Sequence, residues 1–369
     1  CIDAADLSRS CGTAGARNLR EHSMLTLPVG LSAEQFLARY WQKAPLFVSQ
    51  AAVPMRPSIS RNELAWLATL EDVESRIVFT DRRSPQTRYR VETGPFDASF
   101  LAALPKRDWT LLVHDVEKHL PALRRLFSLV PFVPDWRIDD LMVSFAAPGG
   151  GVGPHRDNYD VFLCQGIGVR EWRITRDDVA LDADASDELV LTTEFAGDEC
   201  VSARKGDVLY LPPGVAHWGT ALRACITYSI GMRAPEDYAD ADLELAEVQP
   251  GYISTAAHAR AGARSDDLGE IVTETKEWLR PVPPEEDEIR SVLASPGALS
   301  KLGLHGMARL AYDDGRVYLN GNSRKLDGDE RFVIAALCRH RRLNHRTASK
   351  LGPDLGAWLL RYGAFALPE

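Results

Sequence analysis

The chain has no run approaching the roughly 18 apolar residues that a membrane-spanning helix needs, which excludes a helical transmembrane protein. It has no C-x-x-C pair, and its six cysteines are scattered over 369 residues. A disulfide framework is therefore not expected, and Cys164 and Cys225, inside the apolar runs VFLCQ and RACITYSI, read as reduced buried thiols. An excess of basic charge is also missing: 43 Lys and Arg face 52 Asp and Glu, for a net charge of −9. A whole-chain electrostatic footprint for nucleic acid is thereby absent. With no secretory apolar segment in view, the expected compartment is the cytoplasm. What is present is ordinary globular composition, 45% hydrophobic, which supplies a sizeable core for two or three domains.

Residues 1–23 are polar, small and aperiodic, and begin with Cys1; they are set aside as a non-native or disordered segment. In LSAEQFLARYWQ, Ser32 and Gln35 fit a capping box, and Phe36, Leu37, Tyr40 and Trp41 fall at helical spacing, so a helix is predicted from Ala33 to about Gln42. Further helices are predicted near Arg61–Leu70 and Lys118–Leu129. From Asp140 to Ile230 the pattern changes. LMVSFAAP, YDVFLCQGIG, VREWRI, DVLYLP and ACITYSIG are short, β-branched and aromatic, with Gly and Pro between them. That is the pattern of an antiparallel β core, best arranged as a double-sheet jelly roll of the cupin kind. After Pro235 the chain turns helical and acidic, PVPPEEDE (281–288) reads as a linker, and the last 80 or so residues read as helix, strand, and three further helices, a winged-helix-like order.

The chemistry sits in two motifs. GGGVGPHRDNYDVF contains His155 and Asp157 in an H-x-D pair, which a strand would present on one face. GDVLYLPPGVAHWGT contains Gly206, Pro212, Gly214 and His217, spaced as in the second metal-binding motif of cupins. Two imidazoles and a carboxylate form the facial triad that leaves positions open on a non-haem Fe(II). H-x-D alone is a weak signal; paired with the spaced G-P-G-H inside a strand-rich block it is a strong one. Arg170, fifteen residues after His155, is the candidate bidentate anchor for a carboxylate such as the distal one of 2-oxoglutarate, with Arg223 as the alternative.

The segment PGGGVGPHRDNYDVFLCQGIGVREWRI resembles the JmjC-type ribosomal oxygenases, especially the bacterial type that hydroxylates an arginine of ribosomal protein L-sixteen, and FLARYWQKAPLFV is similar too. The resemblance implies Fe(II) held by His155, Asp157 and His217, and 2-oxoglutarate anchored by Arg170. It also implies a hydroxyl partner on that carboxylate: Ser144 is available in VSFAAP, and Thr227, Tyr228 and Ser229 are alternatives. The implied architecture is α+β: a JmjC double-stranded β-helix with N-terminal helices (24–234), a helical dimerisation region and linker (235–290), and a winged-helix-like domain (291–369). A ribosomal protein and a second copy of the chain are the expected partners. Histidine or methyl-lysine as the target, or a non-enzymatic ligand-sensing regulator, are the competing readings. The basic run RHRRLNHR (339–346) is weighed as a solvated helix face or a substrate-docking surface rather than a nucleic-acid site, because the chain is acidic and no aromatic interleaves the charges. His114 and His119 in HDVEKH are read as helix-surface residues, and Tyr159 and Asp160 as weak candidates for meeting a cationic side chain.

Overall fold

The structure is a computed structural model describing residues 31–52, 58–83, 87–176, 180, 191–192, 195–233, 249–260, 268–276, 279–295 and 297–365. The segment 1–23, and much of the acidic stretch after Pro235, lie outside the described residues. In chain order the elements are α1 (Ala33–Arg39), β1 (Leu46–Val48), α2 (Arg61–Leu67), β2 (Ser75–Asp81), β3 (Arg88–Thr93), α3 (Ala98–Ala102), β4 (Trp109–Val113), α4 (Val116–His119), β5 (Ile138–Ala146), β6 (Val161–Thr175), β7 (Glu199–Arg204), β8 (Val208–Leu211) and β9 (Ala216–Met232). There follow α5 (Thr255–Arg260), α6 (Leu268–Thr273), α7 (Glu286–Ala294), β10 (Leu310–Tyr312), β11 (Arg316–Leu319), β12 (Asn322–Lys325), α8 (Gly328–His340), α9 (His345–Ala348) and α10 (Pro353–Arg361). No described helix is long and apolar enough to cross a membrane.

The chain divides into two compact units. The first comprises Cys1–Val116, Ala122–Val130 and Asp140–Met232. Its nine-stranded sheet runs β1-β8-β6-β9-β5-β4-β2-β3, with β7 also paired to β6. The strand-rich reading of 140–230 holds, but β1 to β4 were not foreseen. They come from SRIVFTD and RYRVET, which are interrupted by charge, and from WTLLV and LFV, which are too short to show a period. YDVFLCQGIG and VREWRI are one strand, β6, not two. Its pairing with β9 slips at Gln165, Ile167 and Val169, where Gly168 takes φ +70. A Cβ there would lie 2.1 Å from the Ala224 carbonyl oxygen, so glycine lets the strand bulge and continue.

Helix α1 forms as its capping box dictates: Ser32 Oγ accepts from Gln35 N–H at 3.2 Å, and Gln35 Oε1 accepts from Ser32 N–H at 3.0 Å. It ends at Arg39 rather than Gln42, which has φ +54. Its buried Phe36 meets Tyr210 edge-on at 5.0 Å and Phe162 at 5.9 Å, fixing the helix to β8 and β6. The predicted helix 118–129 is instead α4 followed by a 3-10 helix over Pro121–Leu129. Pro121 has no N–H to give and its ring disfavours α geometry in the turn before it. His114 precedes α4 and His119 ends it, and both are half-buried, which corrects the helix-surface reading of the pair.

The second unit comprises Glu117–Pro121, Pro131–Asp139 and Arg233–Glu369. Its core gathers Val333, Ile334 and Leu337 of α8, Leu355, Leu359 and Leu360 of α10, and Val317 and Leu319 of β11. Strands β10, β11 and β12 form an antiparallel sheet, of which the sequence showed only the middle member. The stretch read as a linker already contains the first turn of α7, whose Glu285 and Glu288 reciprocally cap it.

Candidate metal centre

The H-x-D pair does not lie on a continuous strand. His155 forms an isolated antiparallel bridge with His217 of β9: each N–H donates to the other's carbonyl, at 3.0 and 2.8 Å. Residues directly opposed in this way project side chains to the same side, and the two imidazole centroids are 4.2 Å apart. Asp157 follows in an irregular turn whose carbonyl accepts from Gly214 N–H at 2.8 Å. Its Oδ2 is 3.7 Å from His217 Nε2. One donor atom from each of the three residues lies within 4.8 Å of the others. The glycines before the site make this approach possible: a Cβ on Gly151 would sit 2.3 Å from the Gly219 carbonyl oxygen.

Both rings are oriented for a cation. His155 Nδ1 donates to the Gly153 carbonyl and His217 Nδ1 to that of Val215, each at 3.0 Å. With Nδ1 carrying the proton, each Nε2 presents its lone pair, the arrangement by which outer partners set a ligand's tautomer. His217 is 2% exposed; burial first, and then the neighbouring His155, lower its pKa to about 4, so the ring is neutral and ready to ligate near pH 7. Burial raises the Tyr159 hydroxyl well above its ordinary range, reinforced by the charges of Asp157 and Asp140.

The same sheet face carries the anchor. Ile174, Trp172 and Arg170 on β6 pair with His217, Gly219 and Ala221 on β9, so alternate residues bring Arg170 to the face that holds His217. Arg170 is 6% exposed, its Nη1 donates to Ser144 Oγ at 3.2 Å, and its guanidinium lies 5.4 Å over the Trp172 ring. Nε and Nη2 are buried with no hydrogen-bond partner among the described residues. Unsatisfied buried donors on a permanent cation carry a large desolvation cost, and a carboxylate is the group that matches their fork. The donor set thus fits a metal-chelating diacid: ligand nitrogens and a carboxylate at one end, a guanidinium with two unpaired donors at the other.

Other sequence candidates separate cleanly. Arg223 is exposed on the far side of the β6 bulge. Thr227 Oγ1 donates to Gln165 Oε1, and the Tyr228 hydroxyl accepts from Ile59 N–H. Ser229 is buried, but Ser144 is the hydroxyl that the structure places on Arg170. Asp160 is fully buried and accepts from the Tyr210 hydroxyl and from Gln42 Nε2, which ties the turn after α1 to β8. Trp218 is half-buried and edge-on to Phe195. The sequence reading missed Thr110, whose buried hydroxyl has no partner among the described residues. The β4–β5 register puts it on the Ser144 face, and without β4 no sequence signal pointed to it.

A JmjC domain model matches residues 125–239, spanning all three candidate ligands and Arg170. The chain is 33% identical to the Escherichia coli ribosomal protein uL16 3-hydroxylase over 88% of its own length and 92% of that enzyme. It belongs to the JmjC-domain ribosomal oxygenase family. A probable ribosomal oxygenase of Haemophilus influenzae is 31% identical to 65% of this oxygenase, with 62% of that protein covered. Among solved structures, that of E. coli YcfD superimposes with TM-score 0.73 at 29% identity, covering 93% of this chain and 99% of YcfD. A structure of YcfD in complex with cobalt and 2-oxoglutarate gives TM-score 0.70, with the same coverage and identity. The family fold is a JmjC/cupin one, a large antiparallel sheet with helices, as the sequence pattern led one to expect.

Proposed function

We propose that this oxygenase uses Fe(II) and 2-oxoglutarate to hydroxylate an arginine side chain of the large-subunit ribosomal protein uL16. The observation that carries the reading is Arg170: a buried guanidinium with two unpaired donors on the sheet face that also holds His217. His155, Asp157 and His217 would hold the iron through their Nε2 atoms and a carboxylate oxygen. Bound there with 2-oxoglutarate and O2, the metal supplies the oxidising power to hydroxylate an unactivated C–H, with succinate and CO2 as co-products. The chain's own part is positional. The Gly153 and Val215 carbonyls hold the imidazoles in the ligating tautomer, Arg170 and Ser144 would grip the distal carboxylate, and buried Trp172 and Ile174 keep water from that end. No side chain is required as a general base.

The substrate assignment rests on the E. coli relative's activity on uL16. It is tested by incubating the purified chain with Fe(II), 2-oxoglutarate and uL16 and mapping the product by mass spectrometry. A gain of one oxygen on an arginine, with equimolar succinate, is expected. A gain on histidine or loss of a methyl from lysine redirects the substrate, and iron-independent absence of succinate leaves only the regulator reading.

Three strands and the helices α8, α9 and α10 support a winged-helix-like reading of 291–369. Residues 235–290 are proposed to carry a homodimer contact, on the ground that an acidic, Ala-rich insert has little barrel surface to serve; the expected compartment is the cytoplasm. Sedimentation of the full chain at micromolar concentration is expected to give a dimer, and deletion of residues 236–280 a monomer. A monomeric full-length protein sinks the dimer proposal.

A further inference from the structure

One stretch of the last unit runs against the acidic excess of the chain. Residues 331–353 contain six cations, Arg331, Arg339, Arg341, Arg342, Arg346 and Lys350, and no carboxylate. Two of these are engaged: Arg331 pairs with Asp314 at 2.8 Å, and Arg341 Nη2 donates to the His305 carbonyl at 2.9 Å. Arg339, Arg342, Arg346 and Lys350 are exposed and form no ion pair or side-chain hydrogen bond among the described residues. They occupy the last turn of α8, the turn after it, α9 and the residues just beyond.

An aromatic ring stands beside one of them. Phe332 is 59% exposed on α8, and the Lys350 ammonium lies 5.2 Å from its ring centroid. Arg339 is seven residues further along α8, two helical turns, on the same outward face. The sequence argument against nucleic acid had two supports, overall acidity and the absence of an interleaved aromatic. Folding answers the second: the packing of α9 against α8 puts Phe332 beside Lys350, while Asp329, exposed on α8 one turn before Phe332, bounds the basic face at that end.

We propose that this face of α8 and α9 is an RNA-binding surface, with Arg339, Arg342, Arg346 and Lys350 contacting phosphates and Phe332 stacking on an unpaired base. A row of unmatched cations with an exposed apolar ring between them is the combination that recognises a phosphodiester chain with splayed bases. An acidic peptide would answer the charge but leave the ring unused. The proposal stands independently of the substrate at the metal centre, because RNA binding is measured without turnover.

The test is fluorescence anisotropy of the full chain with a short labelled RNA hairpin carrying an unpaired loop, over a salt series. Four phosphate contacts predict that affinity falls roughly 50- to 150-fold between about 50 and about 200 mM salt. The R339A/R342A/R346A variant should flatten this to about threefold. Phe332→Ala should weaken hairpin binding about tenfold and leave a fully paired RNA duplex unaffected. Both variants should retain wild-type thermal unfolding and wild-type 2-oxoglutarate turnover, since all these side chains are exposed. Hairpin binding unchanged in the triple variant overturns the proposal, as does displacement of the hairpin by polyglutamate at equal charge concentration, which would assign the surface to an acidic protein.

Discussion

His155→Ala and Asp157→Ala are each expected to bring 2-oxoglutarate turnover below about 1% of wild type while leaving the fold intact. Loss of an outer partner of a metal ligand alone costs roughly 10- to 100-fold in affinity or activity, so removing one of only three protein ligands should exceed that range. Both side chains are only partly buried, so truncation opens little cavity. The backbone bridge between residues 155 and 217 does not depend on either side chain. Circular dichroism should be unchanged, and metal occupancy after loading with Fe(II) or Co(II) should fall in step with turnover. Near-normal turnover in His155→Ala would remove the triad assignment. His217→Ala is a poorer probe because the ring is 2% exposed and its deletion also hollows the sheet interior.

The second large effect is at Arg170, which distinguishes an oxygenase from a metal cupin that never meets 2-oxoglutarate. Breaking a buried, bidentate charge pair costs roughly 3–5 kcal/mol, or about two to four decades in affinity. Arg170→Ala should therefore weaken 2-oxoglutarate binding by that much, with metal affinity preserved because no ligand is touched. Arg170→Lys should recover part of the loss, since the charge remains but the planar fork does not. Ser144→Ala removes one hydrogen bond to the guanidinium, 3.2 Å long in the structure, and should cost far less. Titration of 2-oxoglutarate against the metal-loaded proteins measures all four. Equal affinity in wild type, Arg170→Ala and Arg170→Lys would discard the anchor, and Arg223, exposed on β9, offers no replacement.

The sequence by itself determined the chemistry. H-x-D, a correctly spaced G-P-G-H and a following arginine are short-range patterns, and short-range patterns survive in one dimension. Helix α1 was legible for the same reason, since its capping box is written in residues 32 to 35. What only the tertiary structure decided was how those residues meet. His155 reaches His217 across an antiparallel bridge spanning 62 positions, not along the strand that the H-x-D spacing suggested. Ser144 was one hydroxyl among several until β5 and β6 brought it to Arg170, while Thr227 and Tyr228 found partners elsewhere. Strands β2, β3 and β4 escaped notice because charged and short segments become strands only when a neighbour supplies the hydrogen bonds and the buried face. Phe332 gives no hint in the sequence of its place beside Lys350, because the turn that folds α9 back against α8 separates them by eighteen residues. Local propensity and spacing are properties of the chain; which side chains share a face is a property of register, and register is set by the whole sheet.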